Sequence, residues 1–413
     1  MNGTSSKPLL TLDAAVRGVC LMAAALTLVA CGGKSSNNSS YTIGGTISGL
    51  TESGVVLVNG SVTVSIAAGA TTWTFPSSFT AGSSYAVTVE TQPVGELCDV
   101  SGGGTAATLT ADVNDVAVVC SDYGQWIWEA GLNTVNGSGV YGTQGAASAS
   151  NVPGARYSAS SWTDSSGDFW LFGGAGYDAS GAAGYLNDLW QYRSSTGLWT
   201  WVSGASADNA SGVYGTQGTA SASNVPGARQ AANSWTDASG HLWLFGGYGC
   251  DSTGAVGRLN DLWQYNPCTG LWIWVSGASA DNTTGVYGTQ GTASAGNVPG
   301  ARQGGNSWID SAGYLWLFGG VGYDANSAAG NLNDLWRYSP GTNEWTWLSG
   351  GSEINAIGAY GTQGTASVGT VPGGRYSASS WIDSSGTLWL FGGAGYGSTG
   401  NGYLNDLWQF VPP

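Results

Sequence analysis

A set of motifs recurs four times along this 413-residue chain, and that periodicity constrains the fold more than any single residue does. Val-Pro-Gly-(Ala/Gly)-Arg returns with its proline at 153, 226, 299 and 372, a period of 73. Phe-Gly-Gly returns at 172–174, 245–247, 318–320 and 391–393, and Asn-Asp-Leu-Trp at 187–190, 260–263, 333–336 and 405–408. A Trp-x-Trp pair stands at 126/128, 199/201, 272/274 and 345/347. Such a period means an array of like supersecondary units that bury their apolar faces against one another.

Each unit offers four short strands and no helical periodicity. In the first, strand a runs from Arg156 to Thr163 and strand b is Phe169–Phe172, with strand c at Leu189–Tyr192 and strand d at Trp199–Val202. The a–b link is Asp-x-x-Gly each time, at 164–167, 237–240, 310–313 and 383–386, where the carboxylate caps a turn and Gly accepts positive φ. The chain holds 70 Gly yet also 21 Trp and 19 Tyr, with only 8% charged residues. That balance excludes disorder and fits an all-β chain of many short strands.

These motifs resemble kelch repeats: Gly-Gly after an apolar strand, an aromatic on the next (Tyr192, Tyr265, Tyr338, Phe410), then a Trp. The resemblance implies a β-propeller over 122–413, of the class that also contains galactose oxidase. The units depart from the kelch length of about 50 residues. The excess is a Gly/Ala/Ser-rich insert between strands d and a, containing Tyr-Gly-Thr-Gln-Gly. Unit four has no Trp-x-Trp of its own, and Trp126/Trp128 precede unit one. The N-terminal strand is therefore expected to complete the last blade and close a four-blade ring. An open arc that closes by dimerising is the alternative.

Upstream, residues 1–30 read as a signal peptide: Lys7 and Arg17 precede the apolar run Val19–Ala30, too short to span a bilayer. Leu28-Val-Ala-Cys31 resembles the lipobox of bacterial lipoproteins, which implies a lipidated Cys31, a membrane anchor, and location at the outer membrane or cell surface. Residues 31–40 are a flexible tether. Residues 41–121 alternate in strand fashion and read as a small β-sandwich, in which Cys98 and Cys120 form a disulfide in an oxidising compartment. Cys250 and Cys268, at opposite ends of unit two's strands, are expected not to pair with each other.

Several chemistries are excluded. The single histidine, His241, cannot build a multi-histidine metal centre, including the copper site of galactose oxidase. A net charge of −15, with no Lys after Lys34, argues against nucleic acid. No cofactor, metal or catalytic motif is apparent. The b–c loops (175–185 in unit one) and the inserts are expected to gather on one face, where loops on a rigid scaffold build binding sites. Arg156, Arg229, Arg302 and Arg375 should ring the axis there. They either form an anion pocket or pair with Asp188, Asp261, Asp334 and Asp406, and their equal numbers and like positions favour pairing. Tyr141, Tyr214, Tyr287 and Tyr360 either pack the inserts down or offer sugar-stacking platforms. The reading is an anchored binding scaffold for a protein or glycan ligand. The alternative is an enzyme acting on extracellular polysaccharide, with carboxylates such as Asp178, Asp251 and Asp324 as acid and base.

Overall fold

The Asp-x-x-Gly links build the first hairpin of each repeat. In repeat one Asp164 Oδ1 accepts from Ser166 N (2.9 Å) and Asp168 N (3.1 Å), and Oδ2 accepts from the Trp170 indole (2.8 Å). Asp237, Asp310 and Asp383 do the same for Trp243, Trp316 and Trp389. One carboxylate thus closes the turn and orients the tryptophan at the second position of strand b in repeat one. The protein is seen here as a computed structural model that describes residues 39–106, 108–124 and 126–412. Residues 1–30, expected to be a signal peptide, and the expected lipidation site Cys31 fall outside the described residues. The chain forms two compact units, Met1–Ile127 and Trp128–Pro413.

In the first unit a four-stranded sheet runs Thr72–Thr74, Ile43–Ser48, Val113–Asp122, Glu96–Gly102, its central pair parallel. A three-stranded sheet comprises Val62–Ser65, Val56–Asn59 and Thr88–Thr91. Alternate residues (Ile43, Ile47, Leu57, Trp73, Val116, Val118) fill one core. Cys98 and Cys120 stand directly opposite across two antiparallel strands and are disulfide-bonded.

The second unit carries the repeats as antiparallel sheets that resemble kelch blades. Repeat one pairs a (Arg156–Tyr157 and Ser160–Thr163), b (Phe169–Tyr177), c (Ala183–Arg193) and d (Leu198–Ser203) in that order. Repeats two and three repeat this with d at Leu271–Ser276 and Glu344–Ser349. Strand b bends at a bulge on Phe-Gly-Gly. There Gly173 has φ 63°, and a Cβ on it would lie 2.7 Å from the Arg229 carbonyl of the next repeat. Glycine is what lets consecutive repeats approach.

Three expectations are corrected. First, the b–c segment is no long loop: both strands continue past the bulge, leaving a tight turn from Asp178 to Ala182. Extending the hairpin pairs backbone that a loop would leave to water. Second, the inserts do not rise from one face. Three of the four lie along the outer edge of strand d of the repeat that follows: Gly145, Gly218 and Gly291 donate to the carbonyls of Trp201, Trp274 and Trp347 (2.8 Å each). Ala147–Ser148 also pairs with Trp199–Thr200. An open edge of strand d is thereby covered.

Third, no strand closes the ring among the described residues. Trp126–Ala130 lies outside any strand, and Leu407–Phe410, strand c of repeat four, pairs only with strand b among the described residues. Three apolar cores each join consecutive repeats. Trp162, Trp235 and Trp308 are 4–6% exposed in them, whereas Trp381 of repeat four is 53% exposed. At the other end Phe169 is 49% exposed, while its counterparts Leu242 and Leu315 are fully buried. Among the described residues no apolar core joins repeat four to repeat one, and each end sheet exposes apolar side chains.

Candidate ligand-binding surface

The most elaborate polar constellation is the one recurring between strands a and c. Strand a begins on arginine and strand c carries Asp two residues before a Trp, so the two side chains meet across strand b. Arg229 donates to Asp261 Oδ1 and Oδ2 (2.6 and 2.7 Å), and to the carbonyls of Gly227 and Gly246. Asp261 also accepts from the Tyr214 hydroxyl (2.6 Å) and the Trp263 indole (2.7 Å). The same set unites Arg156–Asp188–Tyr141, Arg302–Asp334–Tyr287 and Arg375–Asp406–Tyr360.

Arg229, Arg302 and Arg375 are 1%, 0% and 0% exposed. Burial works against the Arg229 charge, but Asp261 more than reverses it and raises the guanidinium above its ordinary range. Burial, reinforced by the Asp261 charge, pushes the Tyr214 phenol well above its usual range. With four of their five N–H groups engaged and the side chains buried, these arginines are closed to an anionic ligand. The tyrosines are equally committed: Tyr141, Tyr214 and Tyr287 pack on two tryptophans each and hold the insert to its sheet.

The carboxylates Asp178, Asp251 and Asp324 are 2–3% exposed. Asp178 Oδ1 accepts from Ser180 N (2.8 Å) and Ala182 N (2.9 Å), closing the b–c turn, and Oδ2 accepts from Asp208 N of the following insert (3.3 Å). They are turn acceptors. His241 lies in the a–b turn, its Nδ1 3.0 Å from Asp237 Oδ2. Among the described residues no three His, Cys, Asp or Glu side chains gather as a metal site would require. Cys250 is buried, Cys268 is exposed, and neither is bonded to another cysteine among the described residues.

A different row is left unfilled. Beyond the bulge, the pairings place Tyr157, Ala175 and Tyr185 directly opposite one another in repeat one. The equivalent rows are Gln230–Tyr248–Arg258, Gln303–Val321–Asn331 and Tyr376–Ala394–Tyr403. Residues opposite in register share a face. Neighbouring repeats touch here: Tyr185 and Tyr248 of adjacent rows meet edge to face at 5.7 Å, and the Arg258 guanidinium lies 5.9 Å from the ring of Tyr323, two residues beyond Val321 on its strand. Burial, and then the proximity of Tyr248, Tyr157 and Cys250, raises the Tyr185 hydroxyl above its usual range. Tyr157 is 67% exposed, and Arg258 Nε, Gln230 Oε1 and Gln303 Oε1 have no hydrogen-bond partner.

Aromatic platforms beside unpaired donors and acceptors are what a polar ligand needs. Sequence reasoning passed over these residues because they break the repeat pattern. That break is itself the available signal: Tyr, Arg, Asn and Tyr stand at one position of an otherwise uniform strand c.

No protein-family profile matches the chain, and no curated protein matches it. Among solved structures it is similar to that of YjhT, at 15% identity, covering 62% of this chain and 81% of that one, with a TM-score of 0.35.

Proposed function

We propose that this chain is an exported, lipid-anchored binding scaffold of the kelch-propeller type, taking a glycan or protein ligand on the row formed by Tyr157, Tyr185, Tyr248 and Arg258. The observation that carries the reading is the run of aromatic rings beside Arg258, with Tyr157 67% exposed, at the register position where the repeats differ. Binding selectivity is built by varying side chains on a constant frame. The polysaccharide-active alternative draws no support from Asp178, Asp251 and Asp324, whose oxygens are engaged in turns.

A glycan array probed with the purified protein, followed by calorimetry on any hit, tests this. Tyr185→Ala and Arg258→Ala should each weaken binding about tenfold or more, since burying an aromatic or an Arg anchor contributes at least 1–2 kcal/mol. Release of reducing ends from an array hit would favour the enzyme instead. Unchanged affinity in both variants would place the ligand elsewhere. The anchor is tested separately: Cys31→Ala should release the protein from the membrane fraction.

A further inference from the structure

We infer that the cleft between repeats two and three, at the end of their sheets where the a–b and c–d turns lie, is a second binding site, and that it takes a neutral sugar residue. It falls on the other side of the strand b bulge from Tyr248 and Arg258, so it stands independently of the row they belong to.

One face of the repeat-two sheet forms its wall. Trp235, Trp243, Gln264 and Ile273 are opposed in register across the four strands and share that face. Trp243 packs on Tyr338 of repeat three at 5.8 Å, so the two sheets touch there. Beside Gln264, Ile273 and Val275 a cavity of about 680 Å³ opens, bounded also by Pro340 and Asn343 in the c–d turn of repeat three. That volume is within the range of about 300–1,000 Å³ found for small-molecule sites.

The flanking repeats occupy the like position with their own side chains. In repeat one Gln191 Nε2 donates to Asp168 Oδ2 (3.1 Å), which ties strand c to the a–b turn. In repeat three the Arg337 guanidinium lies over the Tyr314 ring at 4.4 Å and over Trp316 at 5.8 Å. Repeat two has Gln264 on strand c and His241 in the turn, and both line the cavity. Gln264, unlike Gln191, makes no side-chain hydrogen bond among the described residues.

The polar groups around the cavity have capacity to spare. Asp237 Oδ2 accepts from the Trp243 indole (2.8 Å) and lies 3.0 Å from His241 Nδ1. Burial pushes the Asp237 carboxyl up, but hydrogen bonds from Trp243 and His241 outweigh it and hold it below its usual range. A carboxylate has no proton to give, so Nδ1 carries one, and Nε2 of the neutral ring is left as an acceptor. Asn343 Oδ1 accepts from the Tyr338 hydroxyl (2.9 Å), which leaves Nδ2 to donate elsewhere. Gln264 offers a donor and an acceptor. Ile273, Val275 and Pro340 make an apolar side, and no Lys or Arg lines the cavity. Its one carboxylate, Asp237, has both oxygens engaged within its own turn and strand. Neutral donors and acceptors beside an apolar wall fit a pyranose, which carries hydroxyls on its rim and C–H groups on its face, and they offer nothing to pair a charge.

His241 is the chain's only histidine, so in untagged protein its Hε1 resonance is a single reporter within the cavity. Titration with the methyl glycosides of glucose, galactose, mannose and N-acetylglucosamine should shift that resonance saturably for at least one of them, with a dissociation constant on the order of 1 mM or tighter. Gln264→Arg copies the residue that repeat three carries at this position, and Ile273→Trp fills the cavity from strand d. Both keep the histidine, and each should weaken binding by about tenfold or more, with an unaltered melting temperature showing that the chain is folded. No saturable shift with any of the four glycosides overturns the proposal. Unchanged affinity in the two variants places the sugar elsewhere and overturns the site. Tighter binding of methyl glucuronide, an acidic counterpart, overturns the choice of a neutral sugar.

Discussion

Asp261→Ala should be among the most damaging single substitutions outside the glycines, and the structure sets its scale. Asp261 is fully buried and accepts four hydrogen bonds of 2.6–2.7 Å from Arg229, Tyr214 and Trp263. Truncating it strands a guanidinium that is itself 1% exposed. Breaking one partner of a buried ion pair costs about 3–5 kcal/mol, because the remaining charge has neither water nor counter-ion. The phenol and the indole lose acceptors as well, at about 1–3 kcal/mol for each group left unsatisfied. The double variant Arg229→Met/Asp261→Leu removes the charge together with its partner, so it should be less destabilised than Asp261→Ala alone. Asp406→Ala should cost less than Asp261→Ala, since the Asp406 side chain is 15% exposed and water can reach it. Urea unfolding followed by tryptophan fluorescence measures all of these. If Asp261→Ala costs under 1 kcal/mol, or the double variant proves worse than the single, the account of this constellation as a buried ionic clasp fails.

Three further outcomes are expected. Burial pushes the Asp406 carboxyl up, but hydrogen bonds from Arg375, Trp408 and Tyr360 outweigh it and hold the group at about 2. A depressed carboxylate contributes stability that is present above its unfolded value of about 3.9 and lost as pH falls toward 2, so melting temperature should drop across that window and drop less in Asp406→Asn. Ellman's reagent should titrate Cys268 in the native protein and Cys250 only after unfolding, with Cys98 and Cys120 recovered as one disulfide-linked peptide; prompt reaction of two thiols would contradict the burial of Cys250. Gly173→Ala should destabilise by about 2 kcal/mol or more, since φ is 63° and the new Cβ would meet backbone of two strands, whereas Gly167→Ala (φ 78° in open solvent) should cost only about 1 kcal/mol.

Much of this molecule is written locally. The number of repeats, their four strands, the Asp-x-x-Gly hairpins and the pairing of Cys98 with Cys120 all depend on residues a few positions apart or on simple counts. The 73-residue period makes each local pattern legible four times over. The equal numbers of Arg and Asp at like positions also pointed to their pairing. Three things lay beyond the sequence. The inserts read as raised loops because composition reports polarity and glycine, and says nothing of which sheet edge their backbone will cover. Strands b and c run further than their apolar cores because hydrogen bonding carries a hairpin past the last hydrophobic residue. The spacing of Trp126 and Trp128 marks them as a strand d, yet the segment lies outside any strand among the described residues. A strand forms only where a partner edge is in reach, and which edges are in reach is decided by tertiary structure alone.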